Sequence, residues 1–127
     1  MEILKTIVPT QEIQYPPSGK HLLVTFKNCA ANILDCEDSL RSLVYDASIA
    51  TGATVLEVCS HKFQPQGVTA LTVLAESHAS LHTYPESNLV FWDCFTCGTT
   101  CKPELSIAIL AKALQPQTLE KQLIQRG

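Results

Sequence analysis

The stretch that decides the fold is Thr54-Val-Leu-Glu-Val-Cys-Ser-His-Lys-Phe-Gln-Pro-Gln-Gly-Val-Thr-Ala-Leu-Thr-Val-Leu-Ala75. Residues 54–63 alternate loosely between apolar and polar types, the period of a half-buried strand. Pro65-Gln-Gly67 is a turn signal, because proline presets φ and glycine accepts positive φ. Val68 to Ala75 then returns as a β-branched apolar run. Two such runs about a short connection pair back as an antiparallel hairpin. Working outward, His21-Leu-Leu-Val-Thr-Phe26 reads as a further strand. Residues 35–51 read as a helix, with Leu40, Leu43, Val44 and Ala47 on one face at the 3.6-residue period. Asp35 or Asp38 is its expected cap and Gly52 its expected stop. Asn88 to Phe95 reads as another strand. Pro103 opens a second helix to about Leu114, with Leu105, Ala108 and Ile109 on one face. The tail 117–127 fits either a short strand or a frayed end. This order predicts an α+β two-layer sandwich, with a largely antiparallel sheet and two main helices packed on one face. Residues 1–18, with Pro9, Pro16 and Pro17, read as an irregular N-terminal extension to a single domain at 19–127.

Composition narrows the function classes. The 127 residues are 46% apolar and 17% charged, with net charge −3, the balance of one folded domain. Nine Lys+Arg against twelve Asp+Glu argue against a nucleic-acid partner. No apolar run approaches the ~20 residues that span a bilayer, so no membrane role is expected. Met1 to Pro9 does not read as a signal peptide, and the expected compartment is the cytoplasm.

Six cysteines, Cys29, Cys36, Cys59, Cys94, Cys97 and Cys101, need an account. Disulfides rarely persist in the cytosol. Cys94-Phe-Thr-Cys97-Gly-Thr-Thr-Cys101 has a spacing nearer to a zinc or redox module, but no second ligand pair accompanies it. The simplest reading of Cys29, Cys36 and Cys59 is as small buried side chains. No metal is expected.

The chemistry concentrates in Leu74-Ala-Glu-Ser-His-Ala-Ser-Leu-His-Thr-Tyr-Pro-Glu86, between two apolar strands. Ser77 and His82 are a candidate nucleophile and base, and Cys97 adds a thiol able to give or take a proton. No Gly-x-Ser-x-Gly elbow supports a hydrolase. From the residues alone, this is a polar site between strands that is suited to acid–base chemistry.

Glu76-Ser-His-Ala-Ser-Leu-His-Thr-Tyr-Pro-Glu86, followed by Asp93-Cys-Phe-Thr-Cys-Gly98, resembles the short prokaryotic S-adenosylmethionine decarboxylase proenzymes. Gly19-Lys-His-Leu, Gly52-Ala-Thr and Gly67-Val-Thr-Ala agree with the family's flanks. The resemblance covers about residues 19 to 114, and the tail lacks the family's β-branched run. It implies a chain that cleaves itself between Glu76 and Ser77. The Ser77 hydroxyl would attack the Glu76 carbonyl in an N→O acyl shift. Elimination and hydrolysis would then leave a pyruvoyl group at Ser77. His82, with Thr69 where the family often has serine, would serve this processing; His78 receives no role. The pyruvoyl group would form a Schiff base with S-adenosylmethionine and draw electrons as the carboxylate leaves. Cys97 matches the cysteine that then protonates the α-carbon, which suits a thiol near neutrality. Glu86 matches a ribose contact, Phe63 an aromatic stacked on adenine, and Tyr84 an aromatic wall. The resemblance further implies a dimer with sites near the subunit interface, and a product that is the aminopropyl donor for spermidine. The rival classes are a zinc or redox module on Cys94, Cys97 and Cys101, and a non-catalytic interaction domain that keeps the fold.

Overall fold

The structure, a computed structural model, describes residues 17–127; the expected N-terminal extension lies outside the described residues as far as residue 16. Among the described residues, six strands and two α-helices follow one another: β1 Gly19–Lys27, α1 Glu37–Ala50, β2 Val55–Lys62, β3 Val68–Leu74, β4 Ser77–Tyr84, β5 Leu89–Cys97, α2 Ser106–Leu114 and β6 Thr118–Arg126. The sheet order is β2-β3-β4-β5-β1-β6, and every neighbouring pair is antiparallel. Both helices cover one face, with α1 packed across β2, β3 and β4 and against α2. This is the expected α+β two-layer sandwich.

The β2–β3 hairpin forms where the sequence places it, with Lys62 opposite Val68. On α1 the expected stripe, Leu40, Leu43, Val44 and Ala47, is the buried one. Phe26, Leu34, Val68, Leu81, Val90, Leu110 and Leu114 complete the centre of the core. Gly52 ends α1 with φ +92°, a conformation glycine adopts without steric cost.

Three local expectations are corrected and one open alternative is resolved. First, the polar segment after Ala75 is itself a strand. In β4, Ala79, Leu81 and Thr83 face the helices, while His78, Ser80 and His82 face away. The polar outward set hides this alternation from a hydrophobicity reading. Second, of the two readings of the tail the strand holds: it forms β6, which pairs along all of β1 as an edge strand. An edge strand with little buried surface carries a weak apolar signal, so only pairing reveals it. Third, neither Asp35 nor Asp38 caps α1. The cap residue is Cys36, and Asp35 instead accepts the Gly67 N–H at 2.7 Å. Fourth, α2 buries Ser106, Leu110 and Leu114, whereas Leu105, Ala108 and Ile109 lie on its exposed side. That helix is apolar nearly all round, so its periodicity does not choose a face.

Trp92 points into the helix layer, where its indole N–H donates to Ser106 Oγ at 3.0 Å and Ser106 in turn donates to the Pro103 carbonyl at 2.6 Å. Ser48 and Thr72 hydrogen bond at 2.8 Å between α1 and β3. Buried polar groups are thus satisfied where the layers meet. Among the described residues, the opposite face of the sheet carries no helix. Val73, Tyr84, Phe91 and Ile124 remain substantially exposed on it.

Leu40 is fully buried between α1 and the sheet. Leu40→Ala is expected to lower stability by about 2–5 kcal/mol, the cost of a core cavity. A urea titration followed by far-UV circular dichroism checks this; an unchanged midpoint contradicts it.

Candidate active site

The β3–β4 connection is a two-residue turn, Ala75-Glu76, because Leu74 pairs directly with Ser77. Three hydrogen bonds hold this turn against the segment after α1. The Ala75 N–H donates to the Thr54 carbonyl at 2.9 Å. The Thr54 N–H and hydroxyl donate to the Glu76 carboxylate at 3.0 and 3.4 Å. Glu76 is thereby buried. From the other side, the Cys97 N–H donates to the Glu76 backbone carbonyl at 2.9 Å.

Ser77 has φ +150°. Residues with a Cβ rarely occupy this region, and it stores of order 1–3 kcal/mol. The strained residue follows the carbonyl that Cys97 polarises. Gly19 permits the approach of β1 to this corner: a Cβ there would lie 2.2 Å from the Thr96 carbonyl oxygen. Ser77, Glu76 and Cys97 are therefore brought together at one end of the sheet. The Ser77 hydroxyl lies 3.2 Å from His78 Nδ1.

The other sequence-predicted residues gather at the opposite end of β4. Thr69 pairs with His82 across β3–β4, and its hydroxyl lies 2.5 Å from His82 Nδ1. The His82 ring is flanked by Tyr84 and Phe63, with centroids 4.5 and 5.7 Å away. Phe63 is set by the turn, where its N–H donates to the Gly67 carbonyl at 2.8 Å. Asp35 holds the same turn through the Gly67 N–H and Lys62; these contacts, Gly67 first, hold its carboxyl below the usual aspartate range. Glu86 sits in the exposed turn Pro85–Ser87 that leaves β4.

Five residues of extended strand separate Ser77 from His82, about 16 Å along the backbone. Their side chains also start on opposite faces of the pleat. Within one chain, the acyl–serine end and the aromatic–imidazole end do not touch. Between them the uncovered face forms a depression of about 310 Å³ bordered by Leu23, Thr25, Ser80, His82, Phe91 and Asp93.

Sequence reasoning assigned nothing to Asp93, His21 or Ser80. The structure makes Asp93 a hub: His21 Nε2 lies 2.8 Å and His78 Nε2 3.3 Å from its Oδ2, and Ser80 donates to Oδ1. The signal for part of this was the i, i+2, i+4 series His78, Ser80, His82, legible only once β4 is known to be a strand.

All six cysteines are free. Cys29, Cys94 and Cys101 are buried, but Cys36 and Cys59 are exposed, contrary to the sequence reading. Cys59 lies on the uncovered sheet face, and Cys36 precedes α1 outside the core. Burial pushes the Cys94 thiol up to about 12 and Cys29 to about 11. Burial also raises Cys101, helped by the charge of Glu76, whereas a hydrogen bond with Ser39 lowers Cys36. Cys94 and Cys97 face opposite sides of β5, so the three-cysteine ligand set has no common side. Iodoacetamide near neutral pH is therefore expected to alkylate Cys36 and Cys59 and to spare Cys29 and Cys94 until the chain is denatured. Peptide mass mapping reads this directly; early labelling of Cys94 would contradict it.

This fold and site define a class: two-layer α+β proteins that hold a strained acyl–serine bond beside a thiol at the edge of an open sheet face. Comparison with known proteins gives the family. The family model for S-adenosylmethionine decarboxylase matches residues 20–127, which extends the resemblance read from the sequence through β6. The S-adenosylmethionine decarboxylase proenzyme of Methanococcus maripaludis is 42% identical over 109 residues, 86% of this chain and 89% of that one. S-adenosylmethionine decarboxylase proenzyme 2 of Bacillus cereus is 39% identical over 115 residues, covering 91% and 94%. The crystal structure of the adenosylmethionine decarboxylase from Aquifex aeolicus superposes with TM-score 0.79 at 32% identity, over 86% of this chain and 90% of that one. The chain belongs to the S-adenosylmethionine decarboxylase family. Among the described residues, no helix is long and apolar enough to cross a membrane.

Proposed function

We propose that this chain is a proenzyme that cleaves itself between Glu76 and Ser77 and then decarboxylates S-adenosylmethionine by means of a pyruvoyl group derived from Ser77. One observation carries the reading: Ser77, at φ +150°, follows a carbonyl that accepts the Cys97 N–H at 2.9 Å. Attack of the Ser77 hydroxyl on that carbonyl carbon converts the peptide to an ester. It relieves the backbone strain, and the Cys97 N–H holds the developing oxyanion. Family membership points to the same chemistry.

The residues present fit the group. The Ser77 carbons that would become the pyruvoyl group, the activated carbonyl and half-buried Cys97 lie at one corner. When present, the pyruvoyl group supplies an electron sink for the departing carboxylate. Cys97 holds a proton at Sγ on the same corner and delivers it to the substrate's α-carbon. Thr69 and His82 serve the processing step, with the Thr69 hydroxyl fixing the ring through Nδ1. Phe63 and Tyr84 give aromatic faces for adenine and for the sulfonium charge, and Glu86 takes the ribose hydroxyls. The product is the aminopropyl donor for spermidine synthesis, and the enzyme works in the cytoplasm.

The two ends of β4 become one site only if a second copy supplies the missing half. The uncovered sheet face, with Val73, Tyr84, Phe91 and Ile124 exposed, favours an isologous dimer packed through that face. In that arrangement Ser77, Glu76 and Cys97 of one protomer meet the aromatic–imidazole end of its partner.

Intact-mass spectrometry of the purified protein is expected to give two fragments, residues 1–76 and 77–127, the second beginning with pyruvoyl. Ser77→Ala is expected to stay full length and to release no CO₂ from S-adenosylmethionine. A full-length wild-type chain, or CO₂ release by Ser77→Ala, sinks the proposal.

Trans-complementation tests the shared site. Ser77→Ala and His82→Ala are each expected to remain uncleaved alone. Co-expressed, the His82→Ala chain should be cleaved, because its Ser77 meets the partner's intact imidazole end. Absence of cleavage in the mixture places both halves in one chain instead.

A further inference from the structure

Self-processing needs a base for the Ser77 hydroxyl, and the residues around Ser77 in its own chain narrow the choice. The Glu76 carboxylate is engaged by Thr54. His82 lies five residues away and presents Nδ1 to Thr69. His78 Nδ1 is 3.2 Å from Ser77 Oγ.

The proton positions on His78 follow from its partners. Its Nε2 faces Asp93 Oδ2 at 3.3 Å. An ionised carboxylate only accepts, so Nε2 carries the hydrogen of the neutral ring. The lone pair is then on Nδ1, where it accepts the Ser77 O–H. Asp93 is fixed in turn from two other sides. Arg126 donates to His21 Nδ1 at 3.1 Å, so His21 carries its hydrogen on Nε2 and donates to Asp93 at 2.8 Å. The Ser80 hydroxyl donates to the other carboxylate oxygen.

Resting on the self-processing reading above, we infer that His78 is the general base that takes the Ser77 hydroxyl proton, and that Asp93 is the positioning residue that holds its tautomer. The Oγ–H proton passes to His78 Nδ1 as Oγ bonds to the Glu76 carbonyl carbon. The carbonyl electron pair moves onto the oxygen held by the Cys97 N–H. On collapse the C–N bond breaks, and the Ser77 nitrogen takes back the proton from Nδ1. The ester and a free amine result, His78 returns neutral, and no outside reactant is consumed. This chain thus divides labour between two histidines: His78 handles the oxygen-bound proton and His82 the later carbon-bound one.

The charged and titratable groups facing His78 are Asp93 from β5 and His21 from β1, with Arg126 of β6 behind His21. On β3 its register partner is Val73, which is uncharged, and Glu57 of β2 lies beyond it.

The test is a time course of cleavage after cell-free synthesis of the full chain, read by denaturing electrophoresis. His78→Ala is expected to slow cleavage about 10²–10⁴-fold, the usual worth of a general base, and added imidazole should restore part of the rate. Asp93→Asn should lower the rate, because the amide no longer fixes the hydrogen on His78 Nε2, and Asp93→Glu should recover part of it. Wild type that never cleaves overturns the self-processing reading itself. Wild type that cleaves while His78→Ala keeps pace within about threefold, against the loss a general base implies, overturns only the role of His78. A slow His78→Ala that imidazole does not rescue likewise assigns His78 to structure alone.

Discussion

The period-two alternation of β4 is the constraint on which the molecule depends. Ala79, Leu81 and Thr83 lie against the helices with almost no exposure. His78, Ser80 and His82 therefore project from the other face. A slip of one residue would bury two histidines and a serine and expose the core residues, so packing enforces the register strongly. Thr83 is the one polar residue turned inward, and its hydroxyl bonds the Leu34 carbonyl at 2.7 Å and accepts the Val68 N–H at 3.0 Å. The same register brings Thr69 beside His82 and Asp93 beside Ser80. Core packing and site chemistry are two sides of one strand.

The strained bond sits where the fold can hold it. A two-residue turn joins two paired strands, Thr54 anchors the turn from behind, and the Cys97 N–H fixes its carbonyl. Ser77 cannot relax its φ without breaking the β4 pairing on both sides. Local strain of this kind persists only where the surroundings over-determine it. Gly19 contributes at a distance, because the sheet closes tightly beside Thr96 and Cys97 only where β1 carries no Cβ.

The uncovered face gives the second organising fact. Among the described residues, a six-stranded sheet with helices on one side leaves aromatic and aliphatic side chains exposed on the other. A polar network about Asp93 runs through the middle of that face, between the acyl–serine corner and the aromatic–imidazole corner. Burial likewise sorts the cysteines, since those inside carry raised thiol pKa values while Cys36, hydrogen bonded at the surface, does not.

The sequence by itself determined the α+β class, the β2–β3 hairpin, the buried stripe of α1 and the polar motif around Ser77. These are local signals: a period, a turn and a spacing of reactive types. It did not reveal β4 as a strand, and it left β6 open between a strand and a frayed end. In β4 the outward residues are polar and mask the inward apolar set, and in β6 nearly all residues are exposed on an edge. Nor could it choose the buried side of α2, where apolar residues run all round. Only the tertiary structure decided that Ser77 and Cys97 are neighbours, that His82 lies at the far end of the same strand, and that Asp93 links His78 to His21. The physical reason is that these relations are set by cross-strand pairing and by which face of the sheet the helices cover, both of which join residues distant in the chain.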